Sequence, residues 1–561
     1  MTHSAMRKFV ILFLSGFLVC AASAAQGRDK ARDLQEALQT LGPDDEIAVI
    51  VKFADKVDVR QFKDKGKAQR GAKMIKALKE KADRTQGPVR AFLEKRKAKH
   101  MKPLWIINGI AATVPAGAVR ELALQPGVES ISLDYTLSAP VTTTGTAAVP
   151  EWNLSAINAP ALWSLGYTGT GVVVANMDTG VDLNHPDLQS KWRGGNNSWY
   201  DPNGEHLTPY DADGHGTGTM GIMVGGDAGG STIGVAPGAR WIAVKIFNDA
   251  DTAAYSVIHQ GFQWLLDPDE NPDTNDAPDV LNNSWGLDAV DECNTEFQSD
   301  IQALKAAEIF VVIAAGNSGP NYSTSVSPAN YPGSFPTGAV DQSLIVDYSS
   351  SRGPSACDGS IYPELVAPGV NIKTADLTFG GVVPNSYRYV DGTSFASPHV
   401  AGAAVLLLNA FPGLTVAGLE SVLMNSAVDL GVTGADNDYG YGMVDVYGAF
   451  IALAQPDISA SPLSVDFGTV LLFRTSYKTV TITNNGTAEL AVTSATITGT
   501  DATMFGLTNG TGSATVAPGK STSLKIVFRP TSRGPKSAVL TIATNDPDTP
   551  SVTVILSGSG R

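Results

Sequence analysis

Residues 172–180 read VVVANMDTG, and the fold follows from this stretch. Its apolar run is nearly continuous rather than alternating, as in a strand covered on both faces, and it ends on an acid and a glycine. Three later runs share that character: 241–247 (WIAVKIF), 280–283 (VLNN) and 310–314 (FVVIA). Ala/Gly-rich helical runs separate them. Residues 151–455 are therefore expected to form an α/β domain, a doubly wound and mainly parallel sheet with helices on both faces. Ligands of such sheets bind beyond the carboxyl ends of the strands. Three of the runs pass directly into polar, glycine-bearing segments at that end: MDTG, NNSWG and AAGNSG.

Upstream, residues 46–52 (EIAVIVK), 104–114 (LWIINGIAATV) and 128–133 (VESISL) read as strands around a Lys-rich helix at 67–97. Together they make a small α+β unit within 26–140. Residues 138–150 (SAPVTTTGTAAVP) are polar and turn-prone and read as an exposed linker, with 141–150 as its core. The first 25 residues have the features of an export signal: Arg7 and Lys8, an apolar run over 9–20, then small residues up to Ala25. A bilayer-spanning helix needs roughly 20 apolar residues, so this run is too short for one, and no later segment resembles one. The mature protein is expected to be exported, with no transmembrane segment. Beyond Pro456, segments 478–483 (KTVTIT), 523–528 (SLKIVF) and 552–556 (VTVIL) alternate with period two between turn clusters. Residues 456–561 are expected to be an antiparallel, immunoglobulin-like β-sandwich.

Charge is unevenly spread. Residues 26–140 carry 22 basic and 15 acidic side chains, whereas those beyond 140 carry 16 basic and 40 acidic. The two segments should attract each other. The acidic body excludes nucleic acid as a partner. Of the three cysteines, Cys20 leaves with the signal; Cys293 and Cys357 remain as an even pair in an exported protein and are disulfide candidates.

One nucleophile candidate stands out. Residues 392–402 read GTSFASPHVAG, so Ser394 enters a helix from a glycine turn, at the positive end of the helix dipole. Small residues from Ala401 to Ala404 would let that helix pack closely, and Pro398 reads as lying in its first turn. Such a serine needs a base, and His215 in DGHGTGTMG opens another small-residue helix. His399 reads as a packed core residue. The base needs an orienting carboxylate, and Asp178 ends a buried strand, where an unpaired charge would be costly. Acyl transfer also requires oxyanion donors, and Asn317 in AAGNSG offers an amide at the end of another such strand.

The segments DTGVDLNHPDL, DGHGTGTMG, AAGNSG and GTSFASPHVAGAAVL, in this order, resemble the subtilisin-like serine peptidases. NNSWG is similar to the bacillopeptidase F branch. The order Asp, His, Ser matches that family and differs from chymotrypsin and the α/β-hydrolases. The resemblance implies a serine endopeptidase with Asp178, His215 and Ser394 as its triad, and with Asn317 and the Ser394 N–H as its oxyanion hole. It implies that Ser284, Trp285 and Gly286, together with Ala315 and Gly316, hold peptide or protein substrates as an added strand. Residues 26–140 then correspond to a propeptide that inhibits its own enzyme, with processing within 141–150, and the product would be secreted. No cofactor is required by this chemistry. Asp187 matches a calcium ligand of some relatives, although residues 226–232 (GDAGGST) lack the Asn of the familiar calcium loop. A second departure is Gly218, where the family commonly has another His. Two alternatives fare worse. A catalytically dead binding protein would have no reason to keep all four residues, and the acid-active sedolisins would carry Glu for His215 and Asp for Asn317.

Overall fold

The computed structural model describes residues 32–63, 66–144, 152–508 and 513–561. The expected signal segment, residues 1–25, lies outside them. The chain divides into two compact units, one ending at Ala449 and the other beginning at Phe450.

In the first unit, a four-stranded sheet and a long helix come early in the described chain. They are β1 (Glu46–Phe53), α1 (Lys67–Lys95), β2 (Lys99–Leu104), β3 (Gly109–Pro115) and β4 (Val128–Leu133), with sheet order β2-β3-β1-β4. The single strand expected at 104–114 is thus two strands. The chain turns over residues 105–108, where Asn108 has φ 48°. The apolar residues there serve tertiary packing instead of a ladder. Ile106 and Ile107 are buried in a cluster with Phe262 and Leu266, and Gln263 Oε1 accepts the backbone N–H of Trp105 at 2.7 Å.

The charge asymmetry has a structural counterpart. Basic residues of α1 meet acids of the later chain: Lys67 with Asp279 at 2.6 Å, Arg70 with Glu308, Lys76 with Asp273 at 2.5 Å, and Lys79 with Asp267. Lys52 of β1 adds a pair with Glu296 at 2.6 Å.

The segment read as a linker is partly a strand. In β5 (Thr136–Ser138) the chain pairs antiparallel with a later edge strand, Thr252–Ala254, and Ala139 N–H donates to Asp251 O at 2.7 Å. Thr143 and Thr144 then pair with Asp391 and Val390. Local polarity suggested exposure because the partners lie more than a hundred residues away. Residues 145–150 fall outside the described residues.

The central sheet contains β6 (Val173–Asp178), β7 (Trp199–Tyr200), β8 (Arg240–Lys245), β9 (Val280–Asn283), β10 (Phe310–Ala314), β11 (Pro336–Val340) and β12 (Leu365–Pro368). Their order is β12-β11-β10-β9-β6-β8-β7, and every pairing is parallel. From β6 the chain first builds one flank and then returns to build the other. The switch in strand order therefore lies at β6, whose last residue is Asp178.

Two helices pack at that switch. All ten residues of α2 (His215–Val224) are buried, and α3 (Thr393–Ala410) is buried from Thr393 through Leu407. Small residues make this approach fit: a Cβ on Gly402 would stand 2.5 Å from Val235 Cβ.

The second unit has two sheets. One joins Ile458–Ser461, Ser476–Asn484, Ser521–Phe528 and Phe505–Leu507; the other joins Ser464–Val470, Ser551–Gly560, Gly534–Thr544, Leu490–Thr498 and Ala514–Val516. One core lies between them, with Val480, Ile482 and Ile526 from the first and Val465, Leu540 and Leu556 from the second. The expectation of a wholly antiparallel arrangement is corrected, since Ser464–Val470 runs parallel to Ser551–Gly560. Turn residues can announce hairpins, which are antiparallel. They carry no signal for a pairing between the two ends of a domain.

Candidate active site

The carboxyl ends of β6, β9 and β10 bring together the residues singled out by their motifs. Asp178 closes β6 and is fully buried; its Oδ1 accepts from Thr179 N at 2.7 Å and faces His215 Nδ1 at 2.8 Å. The short helix α2 begins at His215 itself, so the imidazole is fixed where its helix meets β6. Burial pushes the His215 imidazole down, but the charge and hydrogen bond of Asp178 more than offset this and raise it above its ordinary value. With Nδ1 bound to Asp178, Nε2 remains the proton-accepting nitrogen, and it is buried with no partner among the described residues.

Ser394 stands in the first turn of α3, after Gly392 at φ 129°. That backbone angle suits glycine alone. Its hydroxyl donates to Ser284 O at 3.1 Å, not to His215. Pro398 is not in the first turn, as its spacing implied, but lies inside the helix. Without an N–H there, the carbonyl of Ser394 loses its i+4 donor. The Ser284 hydroxyl supplies a substitute, donating to Ser394 O at 2.7 Å. Ser284 Oγ is itself held by Asn282 Nδ2 at 2.9 Å and meets Ser397 Oγ at 3.0 Å. The residue that follows β9 thus holds the backbone and the hydroxyl of Ser394.

Asn317, past the end of β10, is exposed on one side. Its Oδ1 accepts from Thr393 N at 3.0 Å and Thr393 Oγ1 at 2.8 Å. This assigns the amide orientation and leaves Nδ2 as a donor beside Gly392, where a Cβ would lie 3.3 Å from it. Gly316 N–H donates to Thr393 Oγ1 at 3.1 Å, and Ala315 is buried behind it. Trp285 is buried, stacked edge-on against Phe297 at 5.8 Å, while Gly286 is half-buried. A Cβ at Gly218 would meet Thr374 Cγ2 at 3.3 Å, Phe395 Cε1 at 3.4 Å and the Arg388 guanidinium, through Nη2, at 3.6 Å. This guanidinium also opposes protonation of His215.

The remaining sequence candidates are placed as follows. Cys293 and Cys357 form a disulfide, Cα atoms 4.8 Å apart. Asp187 has protein donors on both carboxylate oxygens. Its Oδ1 accepts from Ala228 N at 2.8 Å, its Oδ2 from Tyr387 OH at 2.7 Å, and Lys191 supplies a cation nearby. His399 is buried between Phe395 O at 2.8 Å and Asn153 Nδ2 at 2.8 Å, a packed core residue. Sequence reading missed His259, which is buried between Asp300 at 3.0 Å and Glu296 at 3.2 Å, the latter also paired with Lys52. No local motif surrounds it, because both partners come from about forty residues later, Asp300 in the Gln298–Ala306 helix and Glu296 just before it.

Comparison with known proteins agrees with this geometry. The model of the subtilase family matches residues 169–442, and that of Cep192 domain 4 matches 455–561. The chain is similar to bacillopeptidase F of Bacillus subtilis (strain 168), 35% identical over 427 residues. That match takes in 69% of this chain and 29% of the relative, so the chain spans under a third of that protein's length. It is also similar to subtilisin E of the same organism, 33% identical over 360 residues, covering 64% of this chain and 84% of the relative. An alkaline protease of Alkalihalobacillus alcalophilus is 34% identical over 332 residues, covering 59% and 76%. The matched region holds β6, α2, β10 and α3 with the four residues they carry, and the chain belongs to the subtilase family of serine peptidases.

Proposed function

We propose that this chain is a secreted serine endopeptidase made as a self-inhibited precursor, with Ser394 as nucleophile, His215 as base and Asp178 as the carboxylate that orients it. The observation that carries this reading is the buried Asp178–His215 pair at 2.8 Å, with an unpartnered Nε2. A buried imidazole with one nitrogen bound and the other free is arranged to accept a proton.

An extended substrate would pair with the end of β9, and an N–H bonded to Ser284 O would displace the Ser394 hydroxyl. That hydroxyl then turns to His215 Nε2. As Oγ attacks the carbonyl carbon its proton passes to Nε2, and the oxyanion is met by Asn317 Nδ2 and the Ser394 N–H. The C–N bond breaks, Nε2 returns the proton to the leaving amine, and water repeats the sequence on the acyl-enzyme. This chemistry calls on no cofactor.

The described chain leaves one edge strand at Ala139 and enters another at Thr143, beside Asp391 and three residues ahead of Ser394. Residues 140–142 connect these two pairings a short distance before Ser394, which supports self-processing close to the boundary between residues 26–140 and the 141–150 segment. Residues 1–25 would act as the export signal, and 456–561 as an appended immunoglobulin-like domain.

A fluorophosphonate probe tests the reading. It should add its mass to a peptide containing Ser394 in the native protein and to no peptide of the Ser394→Ala variant, which should also accumulate uncut. Processing of that variant in a host without other peptidases, or a probe adduct elsewhere with full activity, would refute it.

A further inference from the structure

The segment from the end of the Tyr255–Leu266 helix to β9 carries Asp267, Asp269, Asp273, Asp276 and Asp279. One carboxylate oxygen each of Asp267, Asp269 and Asp276 lies within 4.8 Å of the others. Calcium–oxygen distances are about 2.4 Å, so ligands of one ion stand no more than about twice that apart, a condition that all three oxygens meet.

Clustered acids alone would be a solvated surface loop. Asp267 is different, since its side chain is only 1% exposed. Its Oδ2 is held by Lys79, but its Oδ1 is buried with no partner among the described residues. An unbonded, buried carboxylate oxygen is expensive unless something positive meets it. Neutral donors position the other two acids, and the Thr274 hydroxyl also donates to Asp276 Oδ1 at 3.5 Å. Asp269 Oδ1 accepts from Asn271 N and Thr274 Oγ1, both at 2.9 Å, and Asp276 Oδ2 accepts from Asn197 Nδ2 at 3.0 Å.

We propose that Asp267, Asp269 and Asp276 form a calcium site, and that calcium and the Lys79 ammonium oppose each other there. The donors are all hard oxygens, with no imidazole or thiol, which suits calcium over transition metals. The cations facing the three acids are Lys79 and Arg193, the latter donating to Asp276 O at 2.5 Å. Lys76 and Lys67 are engaged with Asp273 and Asp279. Lys79 belongs to α1, so any event that removes the N-terminal unit strips the site of one of its two cations and raises its demand for a divalent one. Conversely, calcium weakens the hold of Lys79 on Asp267.

The test uses the full chain carrying Ser394→Ala, so that no self-digestion intervenes. Trp264 lies three residues before Asp267 and accepts its N–H at 3.0 Å, which makes it a local antenna for terbium. Terbium chloride should give tryptophan-sensitised emission that calcium chloride displaces and that Trp264→Phe sharply reduces. Calorimetric titration with calcium chloride should show one site fewer per chain in Asp269→Asn and in Asp276→Asn. Lys79→Met should lower the calcium Kd about tenfold, the weight of one charge contact near a surface. Absence of Trp264-dependent emission, unchanged stoichiometry in Asp269→Asn, or a Kd unmoved or raised by Lys79→Met would each overturn the proposal. The first of these needs no substitution in the site, so a misfolded variant cannot protect it.

Discussion

The bond from Ser284 to the nucleophile's carbonyl can be tested by a double-mutant cycle. Ser284→Ala removes a hydroxyl that is fully buried and donates at 2.7 Å to Ser394 O, the carbonyl deprived of its helical partner by Pro398. The change deletes a single oxygen and opens no cavity of consequence. What it leaves is a buried carbonyl without a donor, which costs about 1–3 kcal/mol. The neighbouring groups soften this little: Asn282 Nδ2 keeps Asn176 Oδ1 at 3.0 Å, and Ser397 Oγ keeps Asn282 Oδ1 at 2.8 Å. Pro398→Ala restores an N–H four residues beyond Ser394, so in that background the hydroxyl should matter less. The expected coupling is about 1 kcal/mol, positive in the sense that the second change repairs the first. Urea unfolding followed by tryptophan fluorescence is suited to this, because all eight tryptophans precede Ala449 and report the first unit alone. Ser394→Ala should be present throughout to prevent digestion. Strictly additive effects would refute the reasoning and mean that the hydroxyl does not replace the missing helical bond.

Asn317→Ala should lower kcat on a chromogenic peptide about 10²–10³-fold with KM within a few-fold, the weight of one oxyanion donor as known from subtilisin. A raised KM with intact kcat would instead make Asn317 a pocket residue. The base must be neutral to act, and His215 is raised by Asp178, so activity should fall on acidification with a midpoint above the ordinary imidazole value of about 6.5. Arg388→Met removes a cation that opposes the imidazolium, so it should move this midpoint further up, and a downward move in the pH profile would contradict the assignment. Replacing Cys293 and Cys357 by Ser opens a loop spanning 64 positions and should destabilise the first unit by at most about 4 kcal/mol, read as a lower urea midpoint.

Much of the site was legible along the chain. The runs at 280–283 and 310–314 are strands β9 and β10 to the residue, and Asp178 does end a buried strand. Burial on both faces writes itself into composition as a continuous apolar run, and a glycine-bearing break marks where it stops. The motifs likewise mark an Asp, a His and a Ser at the ends of elements, and the structure brings Asp178 and His215 together there.

Other features depended on partners remote in sequence. The run at 104–114 is apolar enough for one strand, yet Ile106 and Ile107 are drawn into packing against the helix that carries Gln263, and the chain turns. Residues 138–144 look like linker because their ladder bonds go to Thr252–Ala254 and to Val390–Asp391. Pro398 lies inside α3, where Ser284, more than a hundred residues earlier, donates to the carbonyl that lost its helical partner. His259 and Asp267 are ordinary in their local sequence and gain their buried partners only when Asp300 and Glu296 pack on the one and Lys79 on the other. Periodicity and turn chemistry report which surface of a segment is covered, because that is a property of the segment. They do not report what covers it, because hydrogen bonds and ion pairs between distant segments are set by how the elements pack.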